Sequence, residues 1–570
     1  MYLARTRVAC LRCRVLLPHP SSVPLSRLPV ALRPHGANPW APLGVPVFRW
    51  LWIASLGSNI GTWLQNVAAG WEMTNLTTSP LMVALVQVAT TLPSFFLAIA
   101  AGALADIADR RTILIGTQLA GTLIAGVLAL VAALGVLSAP TLLLLTFLLG
   151  VQWSLTIPAW GATVADIVPR SQLTSAVALG SISFNISRSI GPAIGGLILS
   201  ISHPSVAFGL NALSFAGVLI VLLRWQRTPS VPRLPPEGFA AAIRAGVRYT
   251  MEEPAFRVLL ARCAVFSVPA AAVFSLLPVI ARGSTYGSAN GYAFLLTAIG
   301  IGAVATALVL PRLRGRFTQD QLIAASAVLF AVALGVPALT RQFVWMLLVM
   351  PLAGAAWLTT LSGLQSAVQH VAPSWVKARG LAIYFMTLNG AVAVGGALWG
   401  TIASNSSISA ALATAAIALL VAAPWFARGL IGMAESGDAG ETGEGPSPHF
   451  ADDVPNDAGP VLVTIEYDVR PDARDEFIAD MRELGRLRRR DGAFAWECSF
   501  DIRRRTLAIE TFQIESWLEH LRQHERQGAQ FHRIRERVRT LCAEPPRARH
   551  YVSINVGPLE LRPHPQVADE

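Results

Sequence analysis

Charged residues are scarce in this chain of 570 residues: only 14% are Asp, Glu, Lys or Arg, whereas 53% are hydrophobic. A soluble globular chain carries roughly a quarter charged residues. The deficit lies between residues 47 and 427, where long apolar runs contain almost no Asp, Glu or Lys, while residues 461–550 are rich in charge. The composition therefore excludes a chain that water surrounds along most of its length, and we predict no catalytic residues and no enzyme.

Cysteine is also rare, with five residues in the chain. Cys10 and Cys13 form one CxxC pair, but no second pair follows at the spacing that a zinc site needs. We therefore predict no disulfide framework, no metal site and no cofactor. The segment Gly300-Ile-Gly302 lies inside an apolar run without a preceding strand, which excludes a nucleotide-binding loop.

Acidic residues are absent before Glu72, and residues 1–45 carry arginines and prolines without the apolar core and cleavage site of a signal peptide. We expect this segment to be a basic, disordered cytoplasmic tail. The net charge of +11 does not indicate a nucleic-acid partner, because most of the chain has no soluble face to present. The arginines between the apolar runs instead follow a membrane topology.

Long apolar runs dominate the rest of the sequence, and a membrane-spanning helix needs about 20 mainly apolar residues. The fold class predicted is an all-α polytopic membrane protein with twelve transmembrane helices in two six-helix halves, at 46–224 and 257–428, around a central loop at 225–256. The predicted spans are 47–73, 79–103, 112–135, 140–165, 173–201, 205–224, 257–281, 289–311, 320–340, 343–369, 377–403 and 408–427.

The basic residues between the spans predict the orientation. The loops after spans two, four, six, eight and ten hold most of the arginines, whereas the intervening loops hold only Arg282 and Arg341. Cytoplasmic loops carry the excess of Lys and Arg, so both termini are predicted to be cytoplasmic in an inner-membrane protein. In the central loop, Phe239 to Tyr249 fits a basic amphipathic helix on the membrane surface.

The loop after the second span reads GALADIADRR from Gly102. Gly102 is expected to let two helices approach closely, and Arg110 and Arg111 to bind the C-terminus of a neighbouring helix. The pattern resembles the loop 2–3 signature of the major facilitator superfamily, with Asp109 where the family usually has Gly. That loop latches the outward-open state in the family, so the resemblance implies a gating role for Asp106 and Arg110. The alternative is a plain positive loop.

The fifth span contains SRSIGPAIGG from Ser187, which resembles the antiporter motif of the same superfamily. Gly191, Pro192, Gly195 and Gly196 permit a bend and close packing between the halves. The motif is associated with exporters, although a kinked packing helix would have the same pattern. Together with the stretch from Arg49 to Leu85, it resembles the transmembrane secretion effector branch, which includes enterobactin-type siderophore exporters.

The resemblance implies a secondary transporter, driven by proton exchange, that exports a small organic molecule such as a drug, siderophore or secondary metabolite. Charges inside the bilayer are costly and indicate function. Arg188 is predicted to bind an anionic substrate or to pair with a carboxylate, and Glu72 is the best protonatable candidate in the membrane. Further candidates for substrate or proton contacts, some of which will instead be interhelical hydrogen bonds, are Asn185, Gln65, Asn66, Gln87 and Asn389.

The C-terminal part begins with a predicted acidic flexible linker at 429–460. Alternating and helical patterns then predict the order βαββαβ over 461–556, which is a ferredoxin-like α+β domain, before a disordered tail at 557–570. The domain resembles the dimeric α/β-barrel module of antibiotic-biosynthesis monooxygenases. The helix with Trp517, His520 and His524 has two interpretations. These side chains either line a pocket or lie on an ordinary helix that faces water.

Three functions therefore stay open. The first is an exporter, with a possible homodimer formed through the C-terminal domain. The second is a membrane-tethered monooxygenase-like enzyme or sensor whose C-terminal domain is the active part. The third is an importer of the same superfamily.

Overall fold

The structure, a computed structural model, covers most of the membrane region and the C-terminal domain. The predicted N-terminal tail and acidic linker lie mostly outside the residues it describes, and the predicted tail at 557–570 lies wholly outside them. The described residues are 40–225, 239–373, 376–429, 455 and 458–552.

The first group of helices runs from Pro46 to Arg224. Proline occupies the first position of α1, α2 and α6, where its missing N–H costs no helical hydrogen bond. The Ser138 side chain caps the start of another helix by accepting from the Thr141 N–H at 3.4 Å. The six helices are α1 (Pro46–Leu76), α2 (Pro80–Ile107), α3 (Arg110–Ala133), α4 (Ala139–Ile167), α5 (Leu173–Ile201) and α6 (Pro204–Arg224).

A short helix, α7 (Phe239–Glu252), precedes the second group and lies where the sequence predicted an amphipathic helix. Its Tyr249 hydroxyl donates to the carbonyl of Val371 at 2.9 Å, which fixes α7 to the end of a helix of the second group. The second group comprises α8 (Pro254–Arg282), α9 (Ala289–Arg314), α10 (Gln319–Leu339), α11 (Phe343–Val371), α12 (Lys377–Asn405) and α13 (Ile408–Phe426).

Within the described residues, ten helices are long and apolar enough to cross a membrane: α2, α3, α4, α6 and α8 to α13. Helices α1 and α5 are not among them, although they have 31 and 29 residues. Both carry more polar side chains, chiefly amides in α1 and serines in α5. The chain is therefore a mostly helical, multi-pass membrane protein.

The two groups of helices pack along α2 and α12 and along α5 and α9. Small residues allow this approach: a Cβ atom at Gly400 of α12 would lie 2.7 Å from the Cβ of Ala84 in α2. Such close contacts exclude any larger side chain, so they fix where the two groups meet.

A fully buried ion pair lies inside the second group. The Arg262 guanidinium of α8 donates to Asp320 at the start of α10, and the two side chains are 0% and 4% exposed. The guanidinium also lies 5.6 Å from the ring centre of Trp425 in α13. Three helices of this group are thus joined around one charge, a feature that the sequence patterns did not single out.

The C-terminal domain contains one antiparallel sheet with the strand order β2-β3-β1-β4. The sequence predicted one helix after β3, but the structure has two, separated at Gly528. The fourth strand begins at Arg547. The elements are β1 (Val461–Asp468), α14 (Arg474–Asp491), β2 (Phe494–Phe500), β3 (Leu507–Ile514), α15 (Trp517–Glu525), α16 (Ala529–Thr540) and β4 (Arg547–Val552).

One carboxylate lies at the centre of this domain. Glu510 of β3 is 0% exposed and accepts from Arg488 Nε at 3.2 Å, Trp496 Nε1 at 2.8 Å and the Tyr467 hydroxyl at 2.8 Å. Buried charges are tolerated when they are paired and hydrogen-bonded. Together the bonds join α14 and the strands β1, β2 and β3.

The C-terminal domain contacts the membrane part at α7. Arg244 Nη2 lies 2.6 Å from Glu515 Oε1, and Arg490 Nη1 of α14 lies 3.5 Å from Glu253 Oε2. The Arg490 guanidinium also lies 5.9 Å from the ring centre of Tyr249. Because Tyr249 is bonded to the end of α11, α7 connects the C-terminal domain to the second group of helices.

Candidate functional site

A cavity of about 180 Å³ lies inside the first group of helices. Its walls combine amides with aromatic rings, which suits an organic molecule with both polar and apolar parts. The lining residues are Asn59, Thr62, Trp63, Gln65, Asn66, Thr90, Thr146, Leu149, Gly150, Gln152, Trp153, Phe184, Asn211 and Phe215. The sequence candidates Gln65 and Asn66 are among them.

Part of the polar lining is committed to bonds between helices. Asn211 of α6 donates to Gln65 of α1 at 2.5 Å, and both side chains are buried. Gln152 donates to Thr156 one turn further along α4 at 3.0 Å. Asn66, by contrast, is only half-buried and lines the cavity with Trp63. Of the two candidates on α1, Gln65 therefore contributes to packing between helices as well as to the cavity wall.

Helix α5 packs on α1 through a run of small residues. The Ser187 hydroxyl lies 3.4 Å from the carbonyl oxygen of Leu56. A Cβ atom at Gly191 would lie 2.5 Å from the Cβ of Trp63, and one at Gly195 would lie 3.2 Å from the Cβ of Val67. Gly191 and Gly195 of the antiporter-like motif thus fit α5 against α1, with Pro192 buried between them.

Gly196 and Arg188 differ from the rest of the motif. Gly196 contacts Ala293 of α9, so it lies between the two groups of helices, and an added Cβ would overlap that side chain. Arg188 is half-buried and lies one turn beyond Phe184, which lines the cavity. Among the described residues, no acceptor lies within hydrogen-bond distance of its guanidinium. Neighbouring Asn185 donates to the carbonyl of Ser181 at 2.8 Å.

The loop between α2 and α3 forms specific contacts. Arg110 Nη1 lies 3.1 Å from Asp166 at the end of α4, and Arg111 donates to the carbonyls of Leu222 and Leu223 at 3.1 and 3.0 Å. Arg111 therefore satisfies carbonyls at the C-terminus of α6. Asp109, which departs from the usual glycine, caps α3 by accepting from the N–H of Thr112 at 3.2 Å.

Two other expectations for this loop concern Gly102 and Asp106. Among the residues that the structure describes, an added Cβ at Gly102 would meet no atom within 4 Å, so a close helix approach is not seen there and stays a prediction. The side chain of Asp106 lies outside the described residues, so its gating role stays a prediction.

At the opposite end of the membrane part, the two groups of helices are hydrogen-bonded to each other. Arg282 at the end of α8 donates to the carbonyl of Thr74 and to Asn75 Oδ1, the latter at 2.8 Å. The N–H of Leu81 donates to the hydroxyl of Ser404 at 2.9 Å. These bonds join the end of α1 to the end of α8, and the start of α2 to the end of α12.

The remaining polar candidates lie outside the cavity. Glu72 is half-buried near the contact of Arg282 with α1, and it accepts a hydrogen bond from Asn75 Nδ2 at 2.9 Å. Asn389 of α12 donates to the carbonyl of Phe385 at 2.8 Å. Gln87 is half-buried on α2. None of these side chains is among the residues that line the cavity between α1 and α6.

The C-terminal domain contains a cluster of three histidines. His520 and His524 of α15 and His550 of β4 have ring nitrogens that all lie within 4.8 Å of one another. Trp517 and His520 are 6% and 1% exposed, so α15 does not turn this face to water. Burial lowers the pKa of His520 to about 3 and that of His524 to about 4, helped by neighbouring positive groups. The sequence pattern did not indicate that His550 joins this cluster.

The fold and the cavity define a transporter of the major facilitator type. The chain belongs to the transmembrane secretion effector family, whose profile matches residues 37–557. This match includes both the membrane part and the C-terminal domain.

Curated relatives match parts of the membrane region. The chain is 23% identical over 277 residues to the staphyloferrin A transporter of Staphylococcus aureus, covering 48% of this chain and 69% of that protein. It is 28% identical over 220 residues to the uncharacterized MFS-type transporter YfiS of Bacillus subtilis, covering 37% and 51%. It is 24% identical over 179 residues to macrolide efflux protein A of Streptococcus pyogenes, covering 31% and 44%. The chain thus spans about half the length of the last two.

Solved structures share the fold at low identity. A peptide transporter, POT, in complex with sulfate has a TM-score of 0.56 at 15% identity, covering 69% of this chain and 96% of the other. The nucleoside transporter NupG has a TM-score of 0.53 at 12% identity, covering 67% and 98%. These likenesses show the transporter fold and carry no information on substrate.

Proposed function

We propose that the protein is a secondary active exporter of a small organic molecule, such as a drug, siderophore or other secondary metabolite, in exchange for protons. The observation that carries this proposal is Arg188. It places a cation at membrane depth, one turn from an amide- and aromatic-lined cavity, with no acceptor among the described residues. A charge at membrane depth is costly until it is paired, so an anionic group of the substrate would stabilise it.

The direction of transport is proposed from two relatives and one motif. One relative is named a staphyloferrin A transporter and another a macrolide efflux protein, and the motif around Gly191 resembles that of exporters. This chain resembles the enterobactin-exporter branch in the same stretch. An importer of the same superfamily is the alternative, and the movement of substrate decides between them.

The membrane topology follows from the charges and the helices together. We propose that α1 and α5 are spans as well, which makes twelve spans in two six-helix halves of an inner-membrane protein with both termini in the cytoplasm. Polar residues in α1 and α5 support this, because spans that line a transport cavity carry polar side chains. The C-terminal domain then lies in the cytoplasm against α7.

Alternating access would use the contacts at the two ends. We propose that the end joined by Arg282, Thr74 and Asn75 is the outer gate, closed in this conformation. The inner end would then be open, as alternating access about a central site requires. Closing it would bring the loop with Asp106, Arg110 and Arg111 against the second half. Glu72, close to the outer gate, is the proposed proton carrier.

The C-terminal domain has the strand order of a ferredoxin-like fold, and we propose that it is related to the antibiotic-biosynthesis monooxygenase module. Its contacts with α7 favour a sensing role over an independent enzyme. Pairing of two copies through this domain into a homodimer is a further proposal. Oxygen-dependent turnover by the full chain would instead favour the tethered enzyme.

The exporter proposal is tested by substrate accumulation. Cells that lack the protein and cells that express it are compared by mass spectrometry of extracts and medium, with and without a protonophore. If the protein is an exporter, its substrates should accumulate inside the deficient cells. The same compounds should accumulate inside expressing cells when the protonophore collapses the proton gradient. Depletion of those compounds inside the deficient cells would establish import instead.

Variants of Arg188 then test the site. Arg188→Ala is expected to abolish transport at unchanged abundance in the membrane, and Arg188→Lys to retain part of it. Arg257→Ala is the matched control, since Arg257 is exposed near the start of α8 and outside the cavity. Full transport by Arg188→Ala would remove Arg188 from the mechanism.

A further inference from the structure

The three histidines of the C-terminal domain approach each other across two elements. His520 and His524 lie one turn apart on the same face of α15, and their Nε2 atoms are 3.3 Å apart. His550 comes from the edge strand β4, where it pairs in register with Val463 of β1. Its ring centre lies 4.9 Å from that of His520. Residues distant in sequence thus bring three imidazoles to one point.

The separation of the ring nitrogens suits a shared metal ion. Two nitrogens bound at about 2.0–2.1 Å to a tetrahedral zinc ion lie about 3.3–3.4 Å apart. The distance between the Nε2 atoms of His520 and His524 matches this value. All three ligand atoms lie within 4.8 Å of one another, so one ion reaches them with small movements of the rings.

We propose that His520, His524 and His550 form a binding site for a late first-row divalent metal ion, of which Zn²⁺ is the best fit. Imidazole is a preferred ligand of zinc, copper, iron and nickel. Three protein ligands leave at least one coordination position for water or for a small oxygen or nitrogen donor. The site therefore has a free coordination position, which suits ligand binding or hydrolysis better than a purely structural role.

The surroundings prepare the site for metal. The cluster is largely screened from water, since His520 is 1% exposed and His524 and His550 are half-buried. Trp517, whose ring centre is 5.4 Å from that of His520, covers one side. Arg488 is the unfavourable neighbour of a dication, but its charge is offset by Glu510 at 3.2 Å.

The competing explanation is a hydrogen-bonded histidine pair. At 3.3 Å one Nε2 could donate to the other if the two rings adopt opposite tautomers. Such a pair would pack without metal. The two explanations give opposite outcomes when metal is measured directly.

The test uses the full chain, purified in detergent through a tag without histidine and stripped with a chelator. The probes are Zn²⁺ and Co²⁺ alone, measured by elemental analysis after gel filtration, by calorimetric titration and by the visible spectrum of bound Co²⁺. Cys10 and Cys13 are replaced by serine in every sample, because that pair could bind metal by itself. This readout does not depend on transport.

The wild-type site is expected to bind about one ion per chain, with affinity falling roughly tenfold or more in His524→Gln and His550→Gln, since even second-shell changes cost that much. His532→Gln is the matched control, because His532 lies in the same domain outside the cluster. His550 is half-buried on an edge strand, so its variant tests the site even if that of His524 fails to fold. Unchanged binding in these variants, or no bound metal in the wild type, would overturn the proposal in favour of the hydrogen-bonded pair.

Discussion

Gly196 offers the sharpest test of how the two helix groups move. An added Cβ at this position would overlap the Cβ of Ala293, so Gly196→Ala cannot be accommodated without shifting α5 from α9. Overpacking of this kind costs about 1–3 kcal/mol, which changes the ratio of two conformations by about 5- to 150-fold. The strain exists only while the two groups of helices are in contact. The variant should therefore disfavour closure of the proposed outer gate.

The assay is a distance measurement between spin labels at Thr78 and Ser284, which lie in the loops after α1 and α8. The five native cysteines are first replaced. The distribution for Gly196→Ala is expected to shift towards longer distances, with transport slowed. Gly126→Ala on α3 is the control, because an added Cβ there meets no atom within 4 Å. Identical distributions in the two variants would refute the assignment of this end as a gate.

Three further perturbations probe the loop and the C-terminal domain. Arg111→Ala removes hydrogen bonds to two carbonyls of α6 and should lower the free energy of unfolding by about 1–3 kcal/mol. The measurement is thermal unfolding in detergent, with the exposed Arg316→Ala as the control. Equal melting temperatures of the two variants would show that these bonds contribute nothing. Arg488→Met leaves Glu510 as a buried carboxylate without its cation and should destabilise the C-terminal domain by about 3–5 kcal/mol, seen as faster hydrogen exchange in β1 and β3. Adding Glu510→Gln should restore much of that loss, and no restoration would contradict the charge argument. Asp106→Asn should slow transport at unchanged abundance, whereas normal turnover would leave Asp106 as a packing residue.

Much of the architecture could be predicted because the bilayer imposes a simple rule. Every backbone polar group in lipid must be satisfied within a helix, so apolar length and turn residues indicate the helices directly. Proline and serine at the starts of α4, α6 and α8 mark their boundaries in the sequence. The cavity between α1 and α6 and the histidine cluster were harder to predict, because helical spacing does not indicate which neighbouring element a polar face contacts.

The polar candidates show this limit. Gln65 and Asn66 were named from sequence and line the cavity, whereas Gln87 and Asn389, chosen on the same grounds, do not. Trp153 and Phe184 line the same cavity without having been named. Their positions depend on how α4 and α5 rotate against α1, which close packing of small residues decides.

The sequence by itself determined which part of the chain lies in lipid and which in water, and it indicated a helical membrane region and a separate charged domain. Composition and periodicity suffice for this because they are local properties. Only the tertiary structure decided that Arg111 meets the end of α6, that Gly196 meets Ala293, and that His550 joins His520 and His524. Each of these contacts joins residues far apart in the chain. Their geometry follows from packing, in which a shift of one residue or a few ångströms changes every partner.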